Sequence, residues 1–212
     1  ARQKVANYAG VTVERKEGLL QTAAGRRVRV LDLPGAYSLH AHSVDEAITR
    51  DIVRGRRAGE PVPDVLVCVT DATHLRLNLR LVLEARALGL PMVLVLNMSD
   101  MAERRGIQID REVLARELGM PVLATVGVRG DGAQELLAWL DSPAAQALKA
   151  PVVAAQEAVA LDASPLDAQT QVIRTHQQVH RLMELAVRAP AASLRVDDRI
   201  DAVVLHPVWG ML

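Results

Sequence analysis

Pro91-Met92-Val93-Leu94-Val95-Leu96-Asn97-Met98-Ser99-Asp100 is the stretch on which the fold turns. An unbroken apolar run, opened by Pro and closed by a polar cluster, predicts a strand buried on both faces, the mark of a parallel sheet. Ahead of it, Leu75, Leu79, Val82, Leu83 and Ala87 recur at helical spacing over residues 75–88, and Gly89 closes that helix. The joint Leu88-Gly89-Leu90-Pro91 returns as Leu118-Gly119-Met120-Pro121, which predicts a helix over 110–118 and a further strand at Val122-Leu123-Ala124-Thr125. Upstream, Val65-Leu66-Val67-Cys68-Val69 between Asp64 and Thr70 reads as another buried strand, and residues 132–140 as another helix. Strand, helix, strand, helix, strand, helix predicts an α/β domain with a mostly parallel sheet and helices on both faces.

Earlier in the chain, residues 19–31 alternate around Ala24-Gly25, as a hairpin would. Ser43 followed by Glu46 is a capping-box pattern and predicts a helix over Val44 to Val53. Past about residue 142 the composition shifts to Ala, Gln and Pro. One helix is expected over 168–187 and a short one at 152–160, so 143–199 reads as a small helical appendage.

The chain has 212 residues, half of them hydrophobic, yet no Phe, so the core must be built from Leu, Val, Ile, Ala and Met. Its 25 basic and 25 acidic residues cancel, which removes the electrostatic ground for a nucleic-acid partner. A single Cys68 excludes a disulfide framework and fits a reducing compartment. No apolar run reaches the ~18 residues that span a bilayer. The apolar stretch Val203 to Leu212 reads as the approach to a membrane segment, with a terminal strand packed on the core as the alternative.

In parallel α/β sheets ligands bind beyond the carboxyl ends of the strands. Three motifs are expected there: Asp32-Leu33-Pro34-Gly35, Asn97-Met98-Ser99-Asp100 and Thr125-Val126-Gly127-Val128-Arg129-Gly130; Gly10-Val11-Thr12-Val13-Glu14 is expected in a loop upstream. Together they meet the needs of a guanine-nucleotide site. A strand-end Asp offers oxygen to Mg²⁺, and a loop Thr hydroxyl can join it. A Gly after the Asp lets a backbone N–H approach a γ-phosphate. Asn97 can bond the O6/N7 edge of guanine, and the Asp100 carboxylate can accept from N1–H and N2–H. Adenine offers neither donor, so the carboxylate would stay unpaired. Each motif alone is short, and a lone copy is commonly a turn or a cap; their order and strand-end placement give them weight.

Longer stretches are more particular. Arg2 to Gly18, with Asn7-Tyr8-Ala9-Gly10-Val11-Thr12-Val13-Glu14, resembles the switch I segment of the FeoB ferrous iron transporters. Asp32-Leu33-Pro34-Gly35-Ala36-Tyr37-Ser38-Leu39, running on to Ser43-Val44-Asp45-Glu46, resembles their switch II. Met98 stands where most GTPases carry Lys and FeoB carries Met, and Asp198 to Pro207 resembles the link into the first FeoB membrane helix. The resemblance implies a P-loop-NTPase-like small GTPase fold. Its expected nucleotide residues are Gly10, Val11, Thr12, Val13, Glu14, Asp32, Leu33, Pro34, Gly35, Asn97, Met98, Ser99, Asp100, Val126, Gly127 and Val128, with Thr12 and Asp32 at Mg²⁺.

It further implies GTP and GDP as ligands, with K⁺ an open expectation. The partners it implies are a membrane domain in the same polypeptide, ferrous iron as the transported substrate, small Feo accessory proteins and a homo-oligomer. The implied place is the cytoplasmic face of the bacterial inner membrane. Residues 1–142 would be the GTP-binding domain, 143–199 the helical spacer and 200–212 the link to the membrane. The family's G-x-x-x-x-G-K-[ST] loop occurs nowhere in the chain, so the first strand, phosphate loop and first helix are expected ahead of Ala1. Ala36 occupies the position where Ras-type enzymes orient water with Gln, which predicts slow hydrolysis.

Two other function classes compete with a GTP hydrolase that gates iron entry: a GTP/GDP switch module with negligible turnover, and an Era-like RNA-associated GTPase, against which the charge balance counts. His176 and His180 have helical metal-ligand spacing, but a solvated Gln-rich helix explains them better. His40 and His42 read as exposed loop residues, Arg54-Gly55-Arg56-Arg57 as a solvated helix end, and Cys68 as core.

Overall fold

This computed structural model describes residues 3–8, 13–35, 43–57, 59–147 and 165–189. Six strands form two three-stranded sheets. β1 (Gln3–Asn7), β2 (Glu14–Gln21) and β3 (Arg27–Asp32) make an antiparallel sheet in that order. β4 (Leu66–Asp71), β5 (Met92–Asn97) and β7 (Val122–Ala124) make a parallel one, with β5 in the centre. A short antiparallel pair, β6 (Gln108–Ile109) with β8 (Val187–Arg188), stands apart.

The helices are α1 (Val44–Val53), α2 (Leu75–Arg86), α3 (Ser99–Arg104), α4 (Arg111–Leu118), α5 (Gln134–Asp141), α6 (Pro143–Ala147) and α7 (Pro165–Ala186). α1 begins as its capping pattern predicts, with the Ser43 hydroxyl accepting from the Glu46 N–H at 3.2 Å. α4 is capped by Asp110, which accepts from the Val113 N–H at 3.0 Å. It ends at Gly119, whose φ of 66° is the left-handed turn-off that glycine adopts without strain.

β5 is the keel of the domain. Met92, Val93, Leu94, Val95 and Leu96 are all buried, and fully burying one such side chain contributes about 1.5–3 kcal/mol. One face meets α2 and α4 through Leu79, Val82, Leu83, Leu114 and Leu118. β4 and β1 depart from the sequence expectation. β4 hides Cys68 and Thr70 on one face, while Val69 on the other is 61% exposed, so β4 is half buried. Burial pushes the Cys68 thiol up to about 11, so it stays a neutral core group. β1, a polar segment with no strand signal of its own, is a strand through its pairing with β2.

The appended helix shares the main core. Val179, Leu182 and Ala186 of α7 are buried in the same cluster as α2 and α4, and the β6–β8 pair and the Asp110 N–H to Ala186 carbonyl bond (2.7 Å) fasten its end. The expected helix at 152–160 and the apolar stretch 203–212 lie outside the described residues. Among those described, no helix is long and apolar enough to cross a membrane.

A second small core joins β1, β3 and α1: Tyr8, Ile48 and Ile52, flanked by Val13, Leu31 and Leu33. The hairpin turn between β2 and β3 is clasped by the end of α5. Asp141 accepts from the Thr22 hydroxyl and, at 3.0 Å, from the Ala24 N–H, while the Arg26 guanidinium donates to the Leu140 carbonyl. These bonds, Thr22 first, hold the Asp141 carboxyl below its ordinary range.

Candidate functional site

The ends of β5 and β7 carry the first cluster. Asp71 and Asn97 are paired across β4 and β5, so both strands finish at one level. Beyond Asn97 the chain turns through Met98, the only non-glycine with positive φ (59°) among the described residues. A left-handed residue other than Gly costs on the order of 1 kcal/mol, and such strain concentrates at functional sites. The turn lets the N–H and hydroxyl of Ser99 both donate to the Thr125 carbonyl, at 3.3 and 3.1 Å. Asn97 Oδ1 accepts from the Gly127 N–H at 2.9 Å and from the Thr125 hydroxyl at 3.3 Å. Its carbonyl is thus committed to the 125–127 loop, while Nδ2 still has donors to offer a ligand.

That loop is tight. The Val126 N–H donates to the Gly132 carbonyl at 3.0 Å, and a Cβ on Gly132 would lie 1.8 Å from the Val126 carbonyl oxygen, so no other residue fits without moving the loop. Val128 is 97% exposed and contributes no side-chain contact to the protein. Asp100 sits in the first turn of α3, held only loosely by Arg104 at 3.9 Å. Its carboxylate remains available as an acceptor.

Asp71, at the same end of the sheet, is otherwise employed. Its carboxylate accepts from the Thr73 N–H (2.7 Å) and hydroxyl (2.8 Å) and lies 3.3 Å from His74 Nδ1. Burial works to raise its pKa, but these bonds prevail and hold the group below the usual carboxylate range.

The second cluster surrounds a cavity of about 650 Å³ lined by Val13, Glu14, Lys16, Asp32, Leu33, Pro34, Gly35 and Asp45. Asp32 ends β3 opposite Lys16, which reaches back to Glu14 at 3.0 Å. The Thr49 hydroxyl donates to the Pro34 carbonyl at 2.9 Å and ties α1 to the Asp-x-x-Gly turn. A Cβ on Gly35 would meet no atom within 4 Å, so packing against the described residues does not demand a glycine there. The carboxylates of Asp32, Glu14 and Asp45 suit a hard cation. No group of three His, Cys, Asp or Glu side chains that could hold a metal ion forms among the described residues.

The expected site residues therefore fall into two groups. Asn97, Met98, Ser99, Asp100, Val126, Gly127 and Val128 come together at one place, and Val13, Glu14, Asp32, Leu33, Pro34 and Gly35 at the other. Leu33 packs against both hydrophobic cores and so adjoins each. Glu14 opens β2 and is not in a loop. Gly10, Val11, Thr12, Ala36, His40 and His42 lie outside the described residues. Thr125 headed an expected strand-end motif but was given no role of its own, and it anchors Ser99; Gly132 was left out, with the run Gly130-Asp131-Gly132 as the available signal.

The family model described as Ferrous iron transport protein B matches residues 1–140. This chain belongs to the FeoB family. Fe(2+) transporter FeoB of Shigella flexneri is 42% identical over 145 residues, which are 66% of this chain and 18% of that protein. The chain thus spans under a fifth of the length of the curated FeoB relatives it matches. Among solved structures, the cytosolic domain of L. pneumophila FeoB superposes with a TM-score of 0.72 at 26% identity, over 89% of this chain and 91% of that one. The cytosolic domain of T. maritima FeoB in a GDP form gives 0.71 at 25% identity, over 88% and 90%. The fold is that of a FeoB G domain, a GTPase-type α/β domain.

His180 lies 3.4 Å from Glu184 on the solvent face of α7. Arg57 is not merely solvated: its guanidinium stands 5.6 Å over the Tyr8 ring, and Arg54 is likewise half buried.

Proposed function

We propose that this chain is the GTP-binding and GTP-hydrolysing part of a FeoB ferrous iron transporter, and that its nucleotide state gates Fe(II) movement through a membrane domain of the same polypeptide. The observation that carries this is the Asn97–Gly127–Ser99–Thr125 network. It spends the Asn carbonyl on the loop and leaves an amide donor and the Asp100 carboxylate for a base with an acceptor edge beside two N–H donors. Guanine is such a base. Asp32 and Gly35, with Thr12, take Mg²⁺ and the γ-phosphate at the cavity end; K⁺ is a further candidate ion.

The strand, phosphate loop and helix that cradle the β-phosphate are proposed to come from polypeptide ahead of Ala1. Supporting this, among the described residues β3 and β4 are both edge strands and their sheets are not hydrogen-bonded to each other, and Val30 (47%), Val67 (38%) and Val69 (61%) are exposed on those strands. A strand between β3 and β4 would pair with both, and its helix would cover these valines. Residues 143–199 act as the spacer and 200–212 lead to the membrane, placing the domain at the cytoplasmic face of the inner membrane. Small Feo accessory proteins and a second copy of the chain are candidate partners.

Ala36 gives the switch-module reading one specific support, since its methyl cannot orient water. Thr12→Ala tests the triphosphate end. In the full-length polypeptide the substitution is expected to weaken a non-hydrolysable GTP analogue about tenfold or more, the value of one charge-assisted contact, with GDP affinity hardly changed. Equal losses for both ligands would make Thr12 a structural residue. Single-turnover GTP hydrolysis measured alongside separates a hydrolase from a switch without turnover.

A further inference from the structure

Tyr8 sits beneath the Asp32 cavity at the meeting of three of its walls. Its ring is 3% exposed and packs with Ile48 (2%) and Ile52 (1%) of α1, flanked by Val13, Leu31 and Leu33. Val13 and Leu33 themselves line the cavity, and α1 contributes Asp45 to it. The Tyr8 N–H donates to the Val13 carbonyl at 3.0 Å, closing β1 onto the start of β2, and Arg57 covers the ring face. The Arg15–Glu60 ion pair fastens β2 to the segment after α1 beside it. Every other buried side chain of this small core is aliphatic, so the one large planar group carries its shape.

The hydroxyl is the unusual part. It is buried with no hydrogen-bond partner among the described residues, a costly arrangement for a group that Phe could replace without loss of packing. Burial first, and then the Glu60 charge, push the phenol above its ordinary value, so it stays a neutral donor. The ring is therefore what this arrangement uses.

We propose that Tyr8 is the positioning residue of the Asp32 cavity, its ring holding the Val13, Leu33 and α1 walls in register so that they respond together to what fills the cavity. This rests on reading that cavity as the Mg²⁺ and γ-phosphate end of a guanine-nucleotide site. Tyr8 touches neither ligand; it acts through Val13, Leu33 and α1.

The test compares wild type, Tyr8→Phe and Tyr8→Leu in the full-length polypeptide, titrated with GMPPNP and GDP in Mg²⁺. Tyr8→Leu is expected to weaken GMPPNP about tenfold or more while GDP changes by less than about threefold; Tyr8→Phe keeps the wild-type ratio. A merely structural tyrosine would lower both affinities together. An unchanged ratio in Tyr8→Leu, or a Tyr8→Phe variant that behaves like Tyr8→Leu, would overturn the proposal. Amide exchange on nucleotide-free protein supplies a second arm. In Tyr8→Leu the amides of α1 and of the start of β2 should both lose protection while those of β5 keep theirs. If wild-type protein binds neither nucleotide while Tyr8→Leu shows this joint loss, the nucleotide reading falls and the wall-holding role of Tyr8 stands. Unchanged protection of α1 or of β2 in Tyr8→Leu would refute that role whatever the nucleotide does.

Discussion

Asp100→Asn in the full-length polypeptide is expected to weaken GDP and GTP alike by ~10–100-fold, the value of a hydrogen bond to a charged acceptor. The carboxylate stands in the first turn of α3 with only a loose partner in Arg104 at 3.9 Å, so the substitution disturbs no firm internal contact. An amide presents one acceptor and one donor where guanine presents two donors. Xanthosine diphosphate carries a carbonyl in place of the exocyclic amine and should lose much less, or gain, because the new NH₂ meets it. Competition titration of GDP and xanthosine diphosphate on wild type and variant checks this. An unaltered GDP affinity in the variant would remove Asp100 from the site.

The other large effect concerns the phosphates. A polypeptide of residues 1–212 alone is expected to bind GDP orders of magnitude more weakly than the full-length protein, even with Asn97 and Asp100 intact. No G-x-x-x-x-G-K-[ST] sequence exists within it, so the Lys and backbone N–H groups that hold the β-phosphate are absent from the binding set. Each missing charge-assisted bond is worth about 1.5–3 kcal/mol, and several are missing. Calorimetry with GDP on the two polypeptides decides. Micromolar or tighter binding by residues 1–212 would mean that other groups hold the phosphates.

The strongest local signals in the sequence were also the most reliable. Ser43 and Glu46 fixed the start of α1, and the two Gly-x-Pro joints marked where α2 and α4 end and β5 and β7 begin, because caps and left-handed turns are decided by a few neighbouring atoms. What the sequence could not display were elements that exist by pairing. β1 is polar, and β6 and β8 are two residues each; their strand character comes from partners far along the chain. α7 was readable as a helix, but its burial against α2 and α4 was not, since an amphipathic face does not name its partner. The half-exposed β4 looked like β5 in composition, and only the sheet order separates an edge strand from a central one.

At the site, Asn97, Asp100 and Gly127 were legible as motifs, while the use of the Asn97 carbonyl by the loop, the left-handed Met98 and the demand for Gly132 are matters of three-dimensional closure. The aromatic at position 8 read as part of a switch segment, with nothing to reveal that it packs with Ile48 and Ile52 of α1. Arg54 and Arg57 looked solvated because a charge run at a helix end has that appearance; the ring of Tyr8 is what draws Arg57 in.

The central claim is that the β5–β7 end of this sheet reads guanine. Its most direct test is calorimetric titration of the full-length polypeptide with GDP and with ADP in the same Mg²⁺ buffer, since the two ligands share every phosphate contact and differ only in the base. GDP is expected to bind at least about a hundredfold more tightly, as ADP forfeits both N–H bonds to the Asp100 carboxylate and a hydrogen bond to a charged group is worth about 1.5–3 kcal/mol. Equal affinities would contradict the claim, because phosphates alone would then account for binding and Asn97 and Asp100 would read no base.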